Sequence, residues 1–382
     1  MKYLLCLSLL FTSTLSQAQD IAFGKAIVDT LTKPYFWGRG YTKDGMKKAA
    51  DFLSAQLSSY GLKPLSNDSY LQSFTYPANT FPGAMTLIID GKALTPGRDF
   101  LVTPNSKGIN AKGTLRQLDS AQFISEKNKL AIILKDTLNW SAAPVVADYT
   151  VIEVRKRVVH NTAGTFDANI ENEFVKKFKA ANVCAMVKGT RQPDSFIFIT
   201  AHYDHLGGMG SDTYFPGAND NASGIALLLN LARYYAVNPQ PYSIGFICFA
   251  GEEIGLKGSE YYTKNPLVPL KRIRFLLNTD LAGTGHDGIT VVNAKEYPNE
   301  FRLMNEINDA EHLLPVIKSR GKAANSDHYY FSEKGVPAFF FYTMGGIAAY
   351  HDINDRGETL PLNEHEDLFK LVVKFNERLM AK

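Results

Sequence analysis

From Asn182 onward, apolar runs alternate with stretches of helical periodicity, and this constrains the fold more than any other feature. The strand-like runs are Cys184 to Val187, Phe196 to Thr200, Ser243 to Ala250, Ile273 to Leu277, Ile289 to Val292 and Ala338 to Tyr342. Between and after them lie helical patterns at roughly 222–236, 256–264, 298–309 and 364–380. Runs that are apolar on both faces suit strands covered on both sides. Such alternation predicts an α/β fold, a three-layer α/β/α sandwich around a mixed, mostly parallel central sheet. In sheets of this kind, ligands bind in loops beyond the carboxyl ends of the strands.

Upstream, Ala49, Phe52, Leu53, Leu57 and Tyr60 fall at helical spacing, with Gly61 as a stop, and predict a helix over about 43–60. Between 81 and 158 the apolar runs are short and broken by Gly and Pro: Met85 to Ile89, Phe100 to Val102, Leu130 to Leu134, Tyr149 to Val154. This reads as a small β-rich insertion without chemistry of its own. The main domain is then 19–80 plus 159–382.

The first 18 residues read as an export signal. Lys2 is the charged start, Leu4 to Phe11 the apolar stretch, and Ser16-Gln17-Ala18 a small-x-small cleavage site. The expected location is periplasmic or secreted. The apolar stretch is too short to span a membrane, and no later one looks like a span. A formal charge of +3 over 382 residues carries no signature of nucleic acid or of a membrane surface. Beyond the leader, Cys184 and Cys248 sit inside apolar runs, which favours buried free thiols and leaves a disulfide between them as the alternative.

Five short segments carry oxygen and imidazole donors at the ends of apolar runs or in loops. They are Ala201-His202-Tyr203-Asp204-His205-Leu206-Gly207, Gly217-Ala218-Asn219-Asp220-Asn221, Gly251-Glu252-Glu253, Asn278-Thr279-Asp280 and Tyr350-His351-Asp352. Borderline metals such as zinc take these donors. His202 and Asp204 are two apart at a strand end, so their side chains point the same way and Asp204 can fix the His202 tautomer. By the same alternation His205 points elsewhere. Asp220 fits a helix cap as well as a carboxylate bridging two metals. Glu252 and Glu253 fit solvated loop acids, or a division of labour in which one ligates and the other moves a proton. Asp280 fits a turn cap or an oxygen ligand. His351 taken alone is a loop histidine.

Taken together, the segments resemble those of the co-catalytic zinc aminopeptidases, the family that includes secreted bacterial leucyl aminopeptidases, aminopeptidase Y and glutamate carboxypeptidase. The resemblance runs from about Ile199 to Gly283 and from Asn325 to Asp355, and reaches the helix at 43–60. It implies two zinc ions per chain. His202 and Asp280 would hold one, Glu253 and His351 the other, and Asp220 would bridge them. Glu252 matches the general acid/base, Asp204 the carboxylate that orients the first histidine, and Tyr350 a phenol near the reacting carbonyl. Asn219 stands where many members carry a first Asp, beside the bridging position. Ser326-Asp327-His328 recurs in such proteins, behind the ligands, as a substrate wall, or as a structural His–Asp pair. Phe331, Tyr342 and Met344 flank the His351 loop and are candidates for a substrate side-chain pocket. Residues 81–158 match poorly and resemble a reduced protease-associated insertion.

The implied activity is zinc-dependent exopeptidase action, most simply aminopeptidase, on peptide substrates. Carboxypeptidase action, glutaminyl cyclase-like chemistry and a non-catalytic metal or peptide binder remain as alternatives. A cyclase relative would keep one zinc, whereas all five ligand positions are filled here. No Gly-x-Ser-x-Gly elbow is present for a serine hydrolase.

Overall fold

A computed structural model describes residues 21–66, 68–159 and 164–381. The proposed leader lies outside the described residues. Among these, nine strands form one mixed sheet. Its centre is four parallel neighbours in the order Tyr242–Phe249, Gln192–His202, Ile273–Thr279, Ala338–Thr343. Antiparallel partners extend both sides. Glu173–Val187 lies against Tyr242–Phe249, and Ile289–Val292 against Ala338–Thr343.

The central strand shows how the sequence builds three layers. Ile197, Ile199 and Ala201 point into one core, while Phe196 and Phe198 point into another on the opposite face. The first core is closed by the helices Ile21–Leu31, Gly45–Ser59, Gly224–Val237, Pro298–Glu311 and His365–Met380. The second lies under the short helices Lys257–Lys264 and His328–Glu333. The helices fall close to the positions that periodicity predicts. The helix Ile21–Leu31 was not anticipated.

The two cysteines are free and buried. Cys184 belongs to the second core and Cys248 to the first, so neighbouring strands carry them on opposite faces of the sheet. No side-chain rotation brings the sulfurs together.

The chain leaves the main sheet along Leu71–Thr80 and returns along Glu173–Val187, which pair antiparallel over most of their length. Between them lie two small sheets, one of five strands and one of four. The second includes Thr165–Ile170, which pairs with Met85–Ile89 and Ile109–Thr114, so this β-rich region runs past residue 158. Its core is shared with the main domain. Leu206, Met209 and Phe215, from the segment just after His205, pack with Phe81, Phe100, Leu130 and Trp140.

Candidate metal centre

The parallel strands end at one edge of the sheet, and each leads to a side chain of the cluster. His202 is the last residue of its strand. Glu252 and Glu253 follow Tyr242–Phe249 through Gly251, whose φ of +71° turns the chain. A Cβ on Gly251 would lie 3.0 Å from the Tyr76 ring. Asp280 directly follows Ile273–Thr279. Asp220 arrives on the turn before the helix Gly224–Val237. There Gly217 has φ +61°, and a Cβ on it would lie 2.2 Å from the Asp220 carbonyl and 2.4 Å from the His205 ring. His351 comes from the loop after Ala338–Thr343.

The side chains converge around Asp220. His202 Nε2 lies 3.4 Å from Asp220 Oδ1 and 3.2 Å from Asp280 Oδ1. His351 Nε2 lies 3.2 Å from Asp220 Oδ2 and 3.1 Å from Glu253 Oε2. Asp220 therefore turns one oxygen toward each imidazole. Ligand atoms of His202, Asp220 and Glu253 fall within 4.8 Å of one another, as do those of His202, Glu252 and Asp280.

The far nitrogen of each imidazole is committed to a main-chain carbonyl. His202 Nδ1 is 3.1 Å from the Asp204 carbonyl, and His351 Nδ1 is 2.7 Å from the Trp140 carbonyl. Donation there leaves a lone pair on each Nε2. Those lone pairs then face carboxylate oxygens, which also only accept. His202 Nε2 and Asp280 Oδ1 are buried without a hydrogen bond. Such an arrangement is costly unless a cation sits between the donors. Protons are one solution: against the effect of burial, Glu253 and Asp220 hold the His351 imidazole up to about 11. A divalent metal is the other, and the all-N/O donor set suits one.

The Asp204 carboxylate makes no hydrogen bond to His202. Its nearer oxygen stands 3.8 Å from Nδ1, and the two oxygens accept the backbone N–H groups of Glu252 (3.1 Å) and Glu253 (3.4 Å). Asp204 thus fixes the turn that presents the two glutamates, while its main-chain oxygen orients His202. Burial pushes the Asp204 carboxyl up to about 7. The strand ends at His202, so alternation does not extend to His205, and the expectation that it points away is wrong. His205 is fully buried, with Nδ1 2.5 Å from Glu253 Oε1.

Behind the ligands, hydrogen bonds run from Thr200 to Asn278 (2.7 Å), Asn278 to Ser326 (2.8 Å) and Ser326 to Asp280 Oδ2 (3.2 Å). Asp327, His328 and Phe331 are each 0% exposed. They cannot form a wall that a ligand touches, because Phe331 packs with Phe249 and Tyr262 in the second core and His328 lies against Phe340. Tyr342 and Met344 are partly buried. The Tyr342 hydroxyl accepts from Arg320, and the Met344 sulfur accepts from Thr290. Tyr350 is 51% exposed and stacks on the His351 ring at 3.9 Å.

Two positioning residues escape the sequence reading. The Asp355 carboxylate accepts the backbone N–H of Asn219 (2.8 Å) and Asp220 (3.0 Å), which sets the Asp220 turn. Burial pushes its carboxyl up to about 6. Arg39 is fully buried beneath the acids. All of its hydrogen bonds go to main-chain carbonyls: those of Tyr203, Leu31, Pro216, Gly217 and Asp220, at 2.7–3.2 Å. Burial lowers the Arg39 guanidinium to about 10, against Asp220, Asp355, Asp204 and Glu253, which favour the cation. The position of Asp355 close after His351 was a weak signal, and an arginine between two glycines was weaker still.

A family description, Peptidase family M28, matches residues 182–375, just over half of the chain. The chain belongs to peptidase family M28. Among curated relatives of this M28 protein, aminopeptidase YwaD of Bacillus subtilis (strain 168) is 26% identical over 306 residues, 76% of this chain and 64% of its own length. The chain spans less than two-thirds of the length of the curated relatives it matches. The fold is that of BSAP, described as a zinc aminopeptidase from Bacillus subtilis, with TM-score 0.72, 19% identity and 94% of each chain covered. It is also that of a peptidase M28 precursor from Shewanella amazonensis SB2B, with TM-score 0.71, 18% identity and coverage of 94% of this chain and 93% of that one.

Proposed function

We propose that this M28 protein is a zinc-dependent aminopeptidase that holds two zinc ions per chain and removes N-terminal residues from peptides. The observation that carries this reading is the Asp220 carboxylate, with Oδ1 toward His202 and Oδ2 toward His351. One carboxylate shared between two nitrogen ligands suits ions roughly 3.5–4 Å apart. The relatives named as aminopeptidases support the reaction class.

In this reading His202 and Asp280 would hold one ion, His351 and Glu253 the other, and Asp220 would serve both. When bound, zinc would polarise the scissile carbonyl and acidify the attacking water. Glu252 takes the proton from that water and later delivers it to the leaving amine. Burial, reinforced by Asp280 and Glu253 and opposed by His202, holds the Glu252 carboxyl well above the ordinary range. That direction suits a group that must both accept and return a proton near neutrality. Asp204 keeps Glu252 in place through its backbone N–H. The exposed Tyr350 phenol, stacked on His351, is the group we assign to the substrate side. We further read residues 1–18 as an export signal, so that the enzyme meets its peptides outside the cytoplasm. Among the described residues, no helix is long and apolar enough to cross a membrane.

Mass spectrometry of a mixed peptide pool incubated with zinc-loaded protein tests the reading, with Glu252→Gln as control. Stepwise loss of N-terminal residues by the wild type alone is expected. Loss from the C-terminus would make it a carboxypeptidase. Loss of ammonia from N-terminal glutamine would make it a cyclase. An unchanged pool would remove the assignment.

A further inference from the structure

The β-rich insertion reaches the centre through the strap between its strands Leu130–Lys135 and Thr150–Arg155. Trp140 lies in this strap. Its carbonyl accepts the His351 Nδ1–H at 2.7 Å, and its own N–H donates to the His351 carbonyl at 3.1 Å. The Trp140 main chain therefore grips both the ring and the backbone of His351. The backbone grip matters because His351 has φ +55°, a conformation that a non-glycine residue keeps only when its surroundings hold it.

Trp140 is in turn fixed by its side chain. The indole stacks on Phe215 at 4.9 Å, donates Nε1–H to the Val102 carbonyl at 2.8 Å, and is 6% exposed. Phe215 lies in the main domain, downstream of His205, and Val102 lies in the insertion, so one side chain joins the two. Two further ties flank it. Asn139 donates to the Tyr350 carbonyl, and Arg155 pairs with Asp352 at 3.6 Å.

We infer that the insertion is part of the metal centre: Trp140 is a positioning residue that sets the His351 imidazole, and with it the affinity of the His351–Glu253 half of the site. This rests on the two-zinc reading above. It replaces the expectation that 81–158 carries no chemistry. A hydrogen-bond acceptor behind a ligating histidine fixes tautomer and ring angle, and losing one weakens metal binding 10–100-fold in comparable sites. Here the acceptor is a carbonyl from outside the main domain, so docking of the insertion and filling of that half are linked.

The test is zinc uptake by the full chain, titrated against a chromophoric chelator, alongside thermal unfolding of the metal-free proteins. The proteins are wild type, Trp140→Ala, and the double variant Asn139→Ala/Arg155→Ala, which removes no residue of any hydrophobic core and serves if Trp140→Ala does not fold. The wild type should bind two ions. The variants should keep one site at wild-type affinity and bind the second more weakly, by about tenfold or more in Trp140→Ala and less in the double variant. Two ions held with unchanged affinity by every folded variant would overturn the inference and leave the two-zinc reading intact. Equal weakening of both sites would also overturn it, since the insertion would then support the fold and not His351. Fewer than two ions in the wild type would refute the two-zinc reading itself.

Discussion

His202 and His351 present the same atom to the same carboxylate, yet they are held in opposite ways. His202 ends a central strand and is buried, and its ring is oriented by a carbonyl two residues on. Its partner Asp280 is backed by the Thr200–Asn278–Ser326 chain of hydrogen bonds. His351 sits on a loop, has positive φ, and takes its orientation from Trp140, 211 residues earlier in the chain. One half of the centre is a product of the sheet. The other is assembled from separate parts of the chain. The support of a functional site thus need not be uniform, and the assembled half is the one that distant changes can reach.

The most severe way to break this contrast is to remove the group both halves share. If the proposed two-zinc reading holds, Asp220→Ala should lower bound zinc below two per chain and take turnover to background, read by metal analysis and peptide hydrolysis. Unchanged metal content would sink the bridging role. Glu252→Gln leaves both halves in place. It should cost about 10²–10⁴ in kcat with zinc content unchanged, as loss of a general base does. Near wild-type turnover would refute the proton-transfer role.

Asp355→Asn sharpens the comparison, because Asp355 belongs to the same loop region as His351 yet acts on Asp220. An amide there offers one acceptor to the Asn219 and Asp220 N–H groups that the carboxylate now serves. Zinc affinity should fall about 10–100-fold by chelator competition, with the fold retained. Wild-type affinity would make the clamp dispensable.

The mildest test probes, through stability, the helix His328–Glu333 that follows Ser326. Burial pushes the His328 imidazole from 6.5 down to about 4. As pH falls, the unfolded chain takes up this proton near 6.5 and the folded chain only near 4. Stability contributed by the neutral ring is therefore complete above about 6.5 and is lost progressively down to about 4. His328→Gln should shrink the loss of unfolding free energy between pH 7.5 and pH 4 by up to about 3 kcal/mol, measured by denaturant unfolding of the metal-free protein. Parallel acid profiles for the two proteins would show that His328 titrates normally.

What was legible in the sequence follows this division. Buried parallel strands leave continuous apolar runs, and side chains at their ends can be placed by counting, which puts His202, Glu252, Glu253 and Asp280 at one edge of the sheet, whereas Asp220 and His351 join them only through the resemblance to the co-catalytic zinc aminopeptidases. Counting fails where the strand stops. His205 was misplaced because alternation was carried three residues beyond the last paired one. Spacing alone points the Asp204 carboxylate at His202, yet its oxygens accept the amides of Glu252 and Glu253, which follow another strand. Phe331 was read as pocket-lining from its nearness in sequence to the His351 loop, yet it serves the core beneath the sheet. Trp140 could not have been found this way. Its contact with His351 is made by main-chain atoms, which leave no mark in residue type, and its indole reads as ordinary core.

Arg39 carries a consequence for how the centre fills. Its guanidinium ties the carbonyls of Tyr203, Pro216, Gly217 and Asp220 to one another without borrowing a carboxylate from the site. The segment just after His202 and the turn bearing Asp220 are therefore ordered by the polypeptide itself, and little conformational entropy is left to lose on metal uptake. Small zinc domains that fold only around their ion behave differently. Protein stripped by a chelator should remain native, and adding zinc back should restore it at the speed of ligand exchange instead of the speed of refolding.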